Sequence, residues 1–504
     1  MSAIGKHKTQ KWFCFTLLCF LCLVAAHFHG QPRAWAVADV PVAFWAWRTQ
    51  APDEVDVRAA IEKASAQVVF LRAGQIDYQN GNLRRIRPLA GTFPRGIKLY
   101  LVYNATRALL DQFEIVDPNA LANEIARAYG DDAQRAVSDG ADLNGLQLDI
   151  DVPTRLLKHY EQTLKAIRKD VASGQQLSIT GLPTWMESPA LAGVLERVDF
   201  WVPQFYGTEL PTRSDQMIPI SPPDSLTFYL NKTRRLDRPF YAGLAAYSVA
   251  LLYSASGSLV GLRGDMDPAT IAADPNLELI DQHSFDNHEH RYNFRARADG
   301  VIDGLNVHAG DLLVVQLPNT ESLRLAARIT RELGGEKLLG ICVFRLPTRD
   351  DAATLTLDQV TAALADHDST PRVDVRLTNT ERKLVLELRN TGTANALVGT
   401  LKADVVIPTG SLDSATSATG VLIETMCQNT GVGPVAPSPQ PCSQRRANLL
   451  RLTPALVASG QTFKTTLVLN SEPSTLNINI TMQTDANQSY VNHQEISIDR
   501  GVKQ

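Results

Sequence analysis

Between Val40 and about Asp366, short apolar runs alternate with longer stretches whose apolar residues recur every three or four positions. That alternation predicts β/α units around a parallel sheet. The strand candidates are 42–47, 68–72, 98–103, 145–151, 177–182, 200–206, 240–246 and 338–346, with helices expected at 54–64, 118–129, 156–171, 188–195, 323–333 and 357–364. Eight units in about 330 residues fit a closed (β/α)8 TIM barrel; a doubly wound sheet would show a Gly-rich phosphate turn after its first strand. An insertion at about 249–318 separates strands seven and eight, and 292–317 within it reads as a β-hairpin or small sheet. After Pro371 the pattern changes to short alternating runs at 373–377, 383–388, 403–407, 462–469, 476–482 and 495–498, the texture of a β-sandwich. The expected division is therefore a leader at 1–38, a barrel at 39–368 and a sandwich at 369–504.

The fourth strand candidate stands apart because it ends in acid: Asn144-Gly145-Leu146-Gln147-Leu148-Asp149-Ile150-Asp151-Val152-Pro153. Leu146, Leu148, Ile150 and Val152 share one face, and Gln147, Asp149 and Asp151 share the other. Same-face neighbours start roughly 6 to 7 Å apart. Two carboxyls at that spacing repel, so one is expected to hold a proton near neutrality, the state a general acid needs. The structural alternative is that both acids cap the following helix and face water.

In a barrel, side chains at the last positions of each strand converge on one pocket. Here those positions bring Trp45, Trp47 and Arg48, Arg72 with Gln75, Tyr103 with Asn104, Gln147, Asp149 and Asp151, Pro183 with Trp185, Gln204 with Tyr206, Tyr247, and Arg345. Aromatic faces stack on the apolar faces of sugar rings, and Arg, Asn and Gln bond hydroxyls, so the mixture suits an oligosaccharide. Competing structural roles are a core position for Trp45 and simple neutralisation of acids by Arg72 and Arg345.

Composition narrows the classes. The 504 residues carry a net charge of -4 and no basic stripe, which argues against a nucleic-acid partner. Lys6, Lys8 and Lys11 precede an apolar run from Trp12 to Ala26, and Ala36-Val37-Ala38 has the small-x-small form of a signal-peptidase site. The chain is expected to be exported to the periplasm or outside the cell, the mature protein beginning near Asp39. Envelope association through an uncleaved leader is the alternative. Of six cysteines, Cys14, Cys19 and Cys22 fall in the leader; Cys427 and Cys442 could close a disulfide, and Cys342 reads as a small core residue. His283, His288 and His290 read as part of a solvated loop, and neither a metal nor a cofactor is expected.

Two segments resemble the chitinase-like family 18 glycoside hydrolases. The stretch Asn144 to Pro153 falls into the frame Asp-Gly-x-Asp-x-Asp-x-Glu of that family's fourth strand, and Gln204-Phe205-Tyr206-Gly207 is similar to its Met-x-Tyr-Asp. The resemblance implies that Asp151 protonates the leaving oxygen, that Asp149 orients an acetamido group acting as internal nucleophile, and that Tyr206 is its hydroxyl partner. Asn144, Gln147 and Gly207 stand where the family has carboxylates, and Asp151 is one methylene shorter than the family's Glu. The barrel as a whole resembles an exported bacterial family known as domain of unknown function 3142, through Ala43-Phe44-Trp45-Ala46-Trp47-Arg48, Leu146-Gln147-Leu148-Asp149-Ile150-Asp151 and Ile341-Cys342-Val343-Phe344-Arg345-Leu346-Pro347. That likeness implies a sugar-hydrolase-like barrel.

Three readings follow. The first is an exported glycoside hydrolase using Asp151 and Asp149. A non-catalytic glycan-binding or envelope scaffold protein on a degenerate barrel is the second, favoured by the missing carboxylates. The third is a divalent-metal hydrolase ligated by Asp149 and Asp151, with Glu187 and Glu209 as the nearest further acids.

Overall fold

The computed structural model describes residues 40–170, 174–380, 383–428, 438–471 and 473–498; the leader and its cleavage site lie outside the described residues. Eight parallel strands form the centre: β1 (Val42–Ala46), β2 (Ala66–Gln79), β3 (Lys98–Ala105), β4 (Asp142–Asp149), β5 (Gln176–Gly181), β6 (Phe200–Pro203), β7 (Phe240–Ala245) and β8 (Leu338–Phe344). They pair in the order β1-β8-β7-β6-β5-β4-β3-β2, and β2 returns to β1, so the sheet closes on itself. Each strand sits where its apolar run predicts. The run-length signal is clear because barrel strands are buried on both faces.

Amphipathic helices cover the outside. Glu54–Ala64 and Leu357–Leu364 match their expected bounds, the latter opened by a Thr356/Gln359 capping box. Pro118–Ser138 runs longer than expected, and Pro223–Arg235 was not expected at all: its apolar face is narrow, with only Leu226, Leu230 and Thr233 buried.

The barrel interior is filled in tiers. Near the amino ends of the strands, Phe70, Tyr100, Phe200 and Tyr241 form a plug with ring centroids 5.2 to 6.2 Å apart. Above it lie Trp45, Val102, Gln147, Val202 and Cys342, all fully or nearly buried. Gly243 makes this tier possible, because a Cβ there would lie 3.0 Å from the Trp45 indole. The tier above carries Asn104, Asp149, Thr180, Gln204 and Phe344 toward the open end.

The insertion leaves from the carboxyl end of β7. It is larger than the expected hairpin: a five-stranded antiparallel sheet of Leu259–Arg263, Val249–Tyr253, Leu312–Leu317, His290–Ala296 and Leu277–Ser284, in that order, with its own apolar core. The segment expected as a solvated loop is partly packed instead, since Asn287, Glu289 and His290 are all buried. The Glu289 carboxylate explains it: it accepts the N–H groups of Ile220 (2.6 Å) and Ser221 (2.9 Å) and the Asn287 amide (2.9 Å), tying the insertion to the loop after β6.

After residue 372 the chain forms two antiparallel sheets of four and six strands around a separate core. Strands Leu412–Ser417, Val421–Cys427 and Leu449–Pro454 add to the expected set. Cys427 and Cys442 are joined by a disulfide, and Cys342 is free and buried in the barrel. A buried polar seam joins sandwich and barrel: Gln359 donates to Asn395 (3.2 Å), which gives its backbone N–H and its side-chain amide to the Asp485 carboxylate (3.1 and 2.7 Å).

Candidate functional site

β4 delivers the acids to the open end of the barrel. Asp149 is the last residue of the strand and is half-buried. Its Oδ1 accepts the Thr180 hydroxyl of β5 at 2.7 Å and the Gln204 amide at 3.4 Å. Asp151 lies two residues beyond, past the end of pairing, where water reaches it although protein surrounds most of the carboxyl. Among the described residues it has no hydrogen-bond partner, so its oxygens are free for a ligand.

Both carboxyls are shifted upward from the ordinary carboxylate range, burial being the larger cause in each. For Asp149, burial raises the value, while the Thr180 hydroxyl and then the Arg72 charge pull it back. For Asp151, burial acts first and the neighbouring Asp149 charge second, and nothing opposes them. Asp151 is therefore the member that holds the proton longer, and Asp149 the member equipped to ionise first.

Aromatic rings gather around Phe344, at the end of β8. Trp47, Trp45, Tyr206 and Tyr247 lie 5.6, 5.9, 6.0 and 5.1 Å from it by ring centroid. Tyr206 feels the charges of Asp149 and Asp151, and burial, the larger cause, raises its hydroxyl well above the usual range, so it remains a donor at neutral pH. Gly207 follows it with φ of 59°, in the left-handed region that glycine adopts without a Cβ penalty.

The structure brings Asp149, Asp151, Gln204, Tyr206, Trp47 and Arg72 to the open end. It sets the other expected residues elsewhere. Trp45 and Gln147 lie one tier below, bonded to each other at 2.7 Å and shut off from water, so they support the acids from beneath. Tyr103 points out of the barrel, because β3 alternates and Val102 and Asn104 take the inward positions; its hydroxyl bonds Asp132 at 2.7 Å. Trp185 is also fully buried, and its indole N–H holds the Val152 carbonyl at 3.0 Å, pinning the acid-bearing segment from behind. Arg345 forks onto Asp351 (2.8 and 3.0 Å), and Arg48 reaches Asp350 at 2.8 Å, so both arginines are engaged at the rim.

Thr180 and Phe344 were not anticipated. Thr180 had a signal, since Ser178 and Thr180 alternate with apolar residues on β5. Phe344 had none, being one apolar residue in an apolar run. Among the described residues, no group of three or more His, Cys, Asp or Glu side chains is placed to hold a metal ion.

Residues 111–294 match the model of a family described as "Domain of unknown function (DUF3142)". No curated protein matches the chain. Among solved structures, a chitinase from Chromobacterium violaceum is 16% identical over 65% of this chain and 99% of its own, with a TM-score of 0.44. The spore cortex-lytic enzyme SleL of Bacillus cereus is 14% identical over 65% of this chain and 74% of its own, with a TM-score of 0.43. Chitinase ChiW of a Paenibacillus, a cell-surface-expressed multi-modular enzyme, is 12% identical over 91% of this chain and 42% of its own, with a TM-score of 0.43. These values bear on neither activity nor substrate.

Proposed function

We propose that this protein is an exported glycoside hydrolase acting on an oligosaccharide or polysaccharide, with Asp151 as the proton donor to the leaving oxygen. The observation that carries this reading is the asymmetry of the carboxyl pair. Asp151 is open to water and unbonded among the described residues, and burial and the Asp149 charge push its value up; its neighbour is held by Thr180, whose hydroxyl pulls the Asp149 value back down. A protonated acid beside an ionised one is the arrangement that cleaves a glycosidic bond. In this reading Asp149 orients the substrate or stabilises developing positive charge, Tyr206 donates a hydrogen bond, and Trp47 with Phe344 offers ring faces to a sugar. The leader at 1–38 is a signal peptide, the barrel spans 39–368 with its insertion at about 249–318, and the sandwich spans 369–504. Among the described residues no helix is long and apolar enough to cross a membrane.

A panel of aryl glycosides and polysaccharides, tested on wild type, Asp151→Asn and Asp149→Asn, decides the matter. Loss of a general acid costs roughly 10²- to 10⁴-fold, so Asp151→Asn should fall by that much on the substrate that wild type cleaves. The second reading, a glycan-binding protein without turnover, is supported by Gln147, which is bonded to Trp45 where the family motif has a carboxylate. Glycan binding that is equal in all three proteins, with no turnover in any, would establish it and remove the first.

A further inference from the structure

A second cavity lies away from the acids, where the loop after β8, the insertion and the sandwich meet. It holds about 660 Å³, and none of Asp149, Asp151, Gln204, Tyr206, Trp47 and Phe344 lines it. The loop 347–355 is the partition between the two spaces. Its Asp351 takes the Arg345 fork at the rim of the cleft, and its Pro347 and Leu355 line the cavity.

Much of the wall is apolar, with Pro268, Leu317 and Pro318 coming from the insertion and Leu456 from the sandwich. The acids in it are already engaged, as Asp56 is by Arg349 (3.0 Å), Asp358 by Lys63 (2.7 Å), Asp351 by Arg345 (2.8 Å) and Asp485 by Asn395 (2.7 Å). Of the lysines and arginines that line it, only Arg389 lacks an ion pair among the described residues, and it is exposed to water. An ion entering such a space would shed its hydration for no partner, so the cavity suits an uncharged ligand.

One buried polar group of the wall is unmet. His290 is 4% exposed, and its ring stacks on Tyr292 with centroids 6.3 Å apart. Its Nδ1 stands 3.1 Å from the His288 carbonyl, which can only accept, so Nδ1 carries the proton and Nε2 presents a lone pair. Burial, the larger cause, lowers the imidazole from its ordinary value and keeps the ring neutral at pH 7. Among the described residues nothing donates to Nε2, yet the atom is not sealed off, and the space its ring lines is this cavity. A buried acceptor left unmet is costly, so its donor comes from whatever fills the space, and apolar walls favour an apolar filling over water.

We propose that this cavity is a second binding site, separate from the carboxyl cleft, for an uncharged ligand with an apolar body and a hydroxyl that donates to His290 Nε2. The inference does not rest on the glycan reading and is tested without any turnover.

The test is equilibrium dialysis of residues 39–504 against three probes that share one apolar body: 2-naphthol, 2-methoxynaphthalene and 2-naphthoate. 2-Naphthol should bind saturably at one site. Its methyl ether keeps the oxygen but has no proton to donate, so it should bind about fivefold more weakly, the worth of one hydrogen bond between neutral groups. The naphthoate should be weaker than 2-naphthol by about tenfold or more. His290→Phe keeps a flat ring against Tyr292 and leaves the His288 carbonyl bonded to the Asn319 amide at 2.8 Å; it should erase the difference between 2-naphthol and its ether. Ala458→Trp fills the cavity from a part-exposed position in its wall and should abolish binding of all three. Should one variant fail to fold, the other carries the test. No saturable binding of 2-naphthol, binding unchanged in Ala458→Trp, or equal binding of 2-naphthol and its ether to the wild type overturns the proposal.

Discussion

Thr180→Val isolates the one strong bond that sets the two acids apart. Valine keeps the shape of threonine and removes the hydroxyl, so Asp149 loses its 2.7 Å donor and retains only the Gln204 amide at 3.4 Å. A hydrogen bond to a charged group contributes about 1.5 to 3 kcal/mol, against about 1 kcal/mol for a neutral one. The difference, about 0.5 to 2 kcal/mol, should raise the folded-state value of Asp149 by roughly half a unit to one and a half units at 1.36 kcal/mol per unit. The sign follows from linkage. Asp149 is already raised by burial, so the folded protein binds its proton more tightly than the unfolded chain does. Stability from that proton is complete below the unfolded value of 3.8 and is lost as pH rises through the folded value. Raising the folded value further extends the loss to higher pH. The cost of Thr180→Val should therefore be about 1 kcal/mol at pH 5 and about 1.5 to 3 kcal/mol at pH 8. Urea unfolding of residues 39–504 followed by tryptophan fluorescence reads the barrel alone, since of six tryptophans Trp12 and Trp35 precede residue 39 and Trp45, Trp47, Trp185 and Trp201 lie in the barrel. Under the proposed hydrolase reading, the acid limb of the pH–rate profile should move up in parallel. A cost that is the same at both pH values would refute the claim that Thr180 acts on the ionised form of Asp149.

Two further outcomes follow from buried polar groups. Trp45→Phe strands the Gln147 amide oxygen in the tier beneath the acids, and the barrel unfolding transition should lose about 1 to 3 kcal/mol, with Trp45→Phe/Gln147→Leu recovering part of it. Asp485, buried at the sandwich seam, is pushed up to about 7 by burial, so wild-type stability should fall as pH rises from about 4 to about 7; Asp485→Asn should remove that share, up to about 4 kcal/mol, from the pH dependence of the melting temperature, and an unaltered pH profile would show that Asp485 ionises as readily folded as unfolded.

What the sequence determined by itself was everything governed by periodicity. Eight buried runs marked eight strands, the change of texture after Pro371 marked the antiparallel sheets, and alternation with Leu146 and Leu148 put Gln147 and Asp149 on the inward face of β4. Alternation also contained the orientation of Tyr103, whose neighbours Val102 and Asn104 share the opposite face. Only the tertiary structure decided depth and partnership. Trp45 and Trp47 are two residues apart, yet one is sealed beneath the acids and the other stands half-open beside Arg72, because pairing in β1 stops at Ala46 and Trp47 lies beyond it toward the open end. Thr180 meets Asp149 only because β5 lies beside β4. The physical reason is range: strand alternation is set by the local backbone, whereas burial, hydrogen-bond partners and the proton on a carboxyl depend on residues distant along the chain.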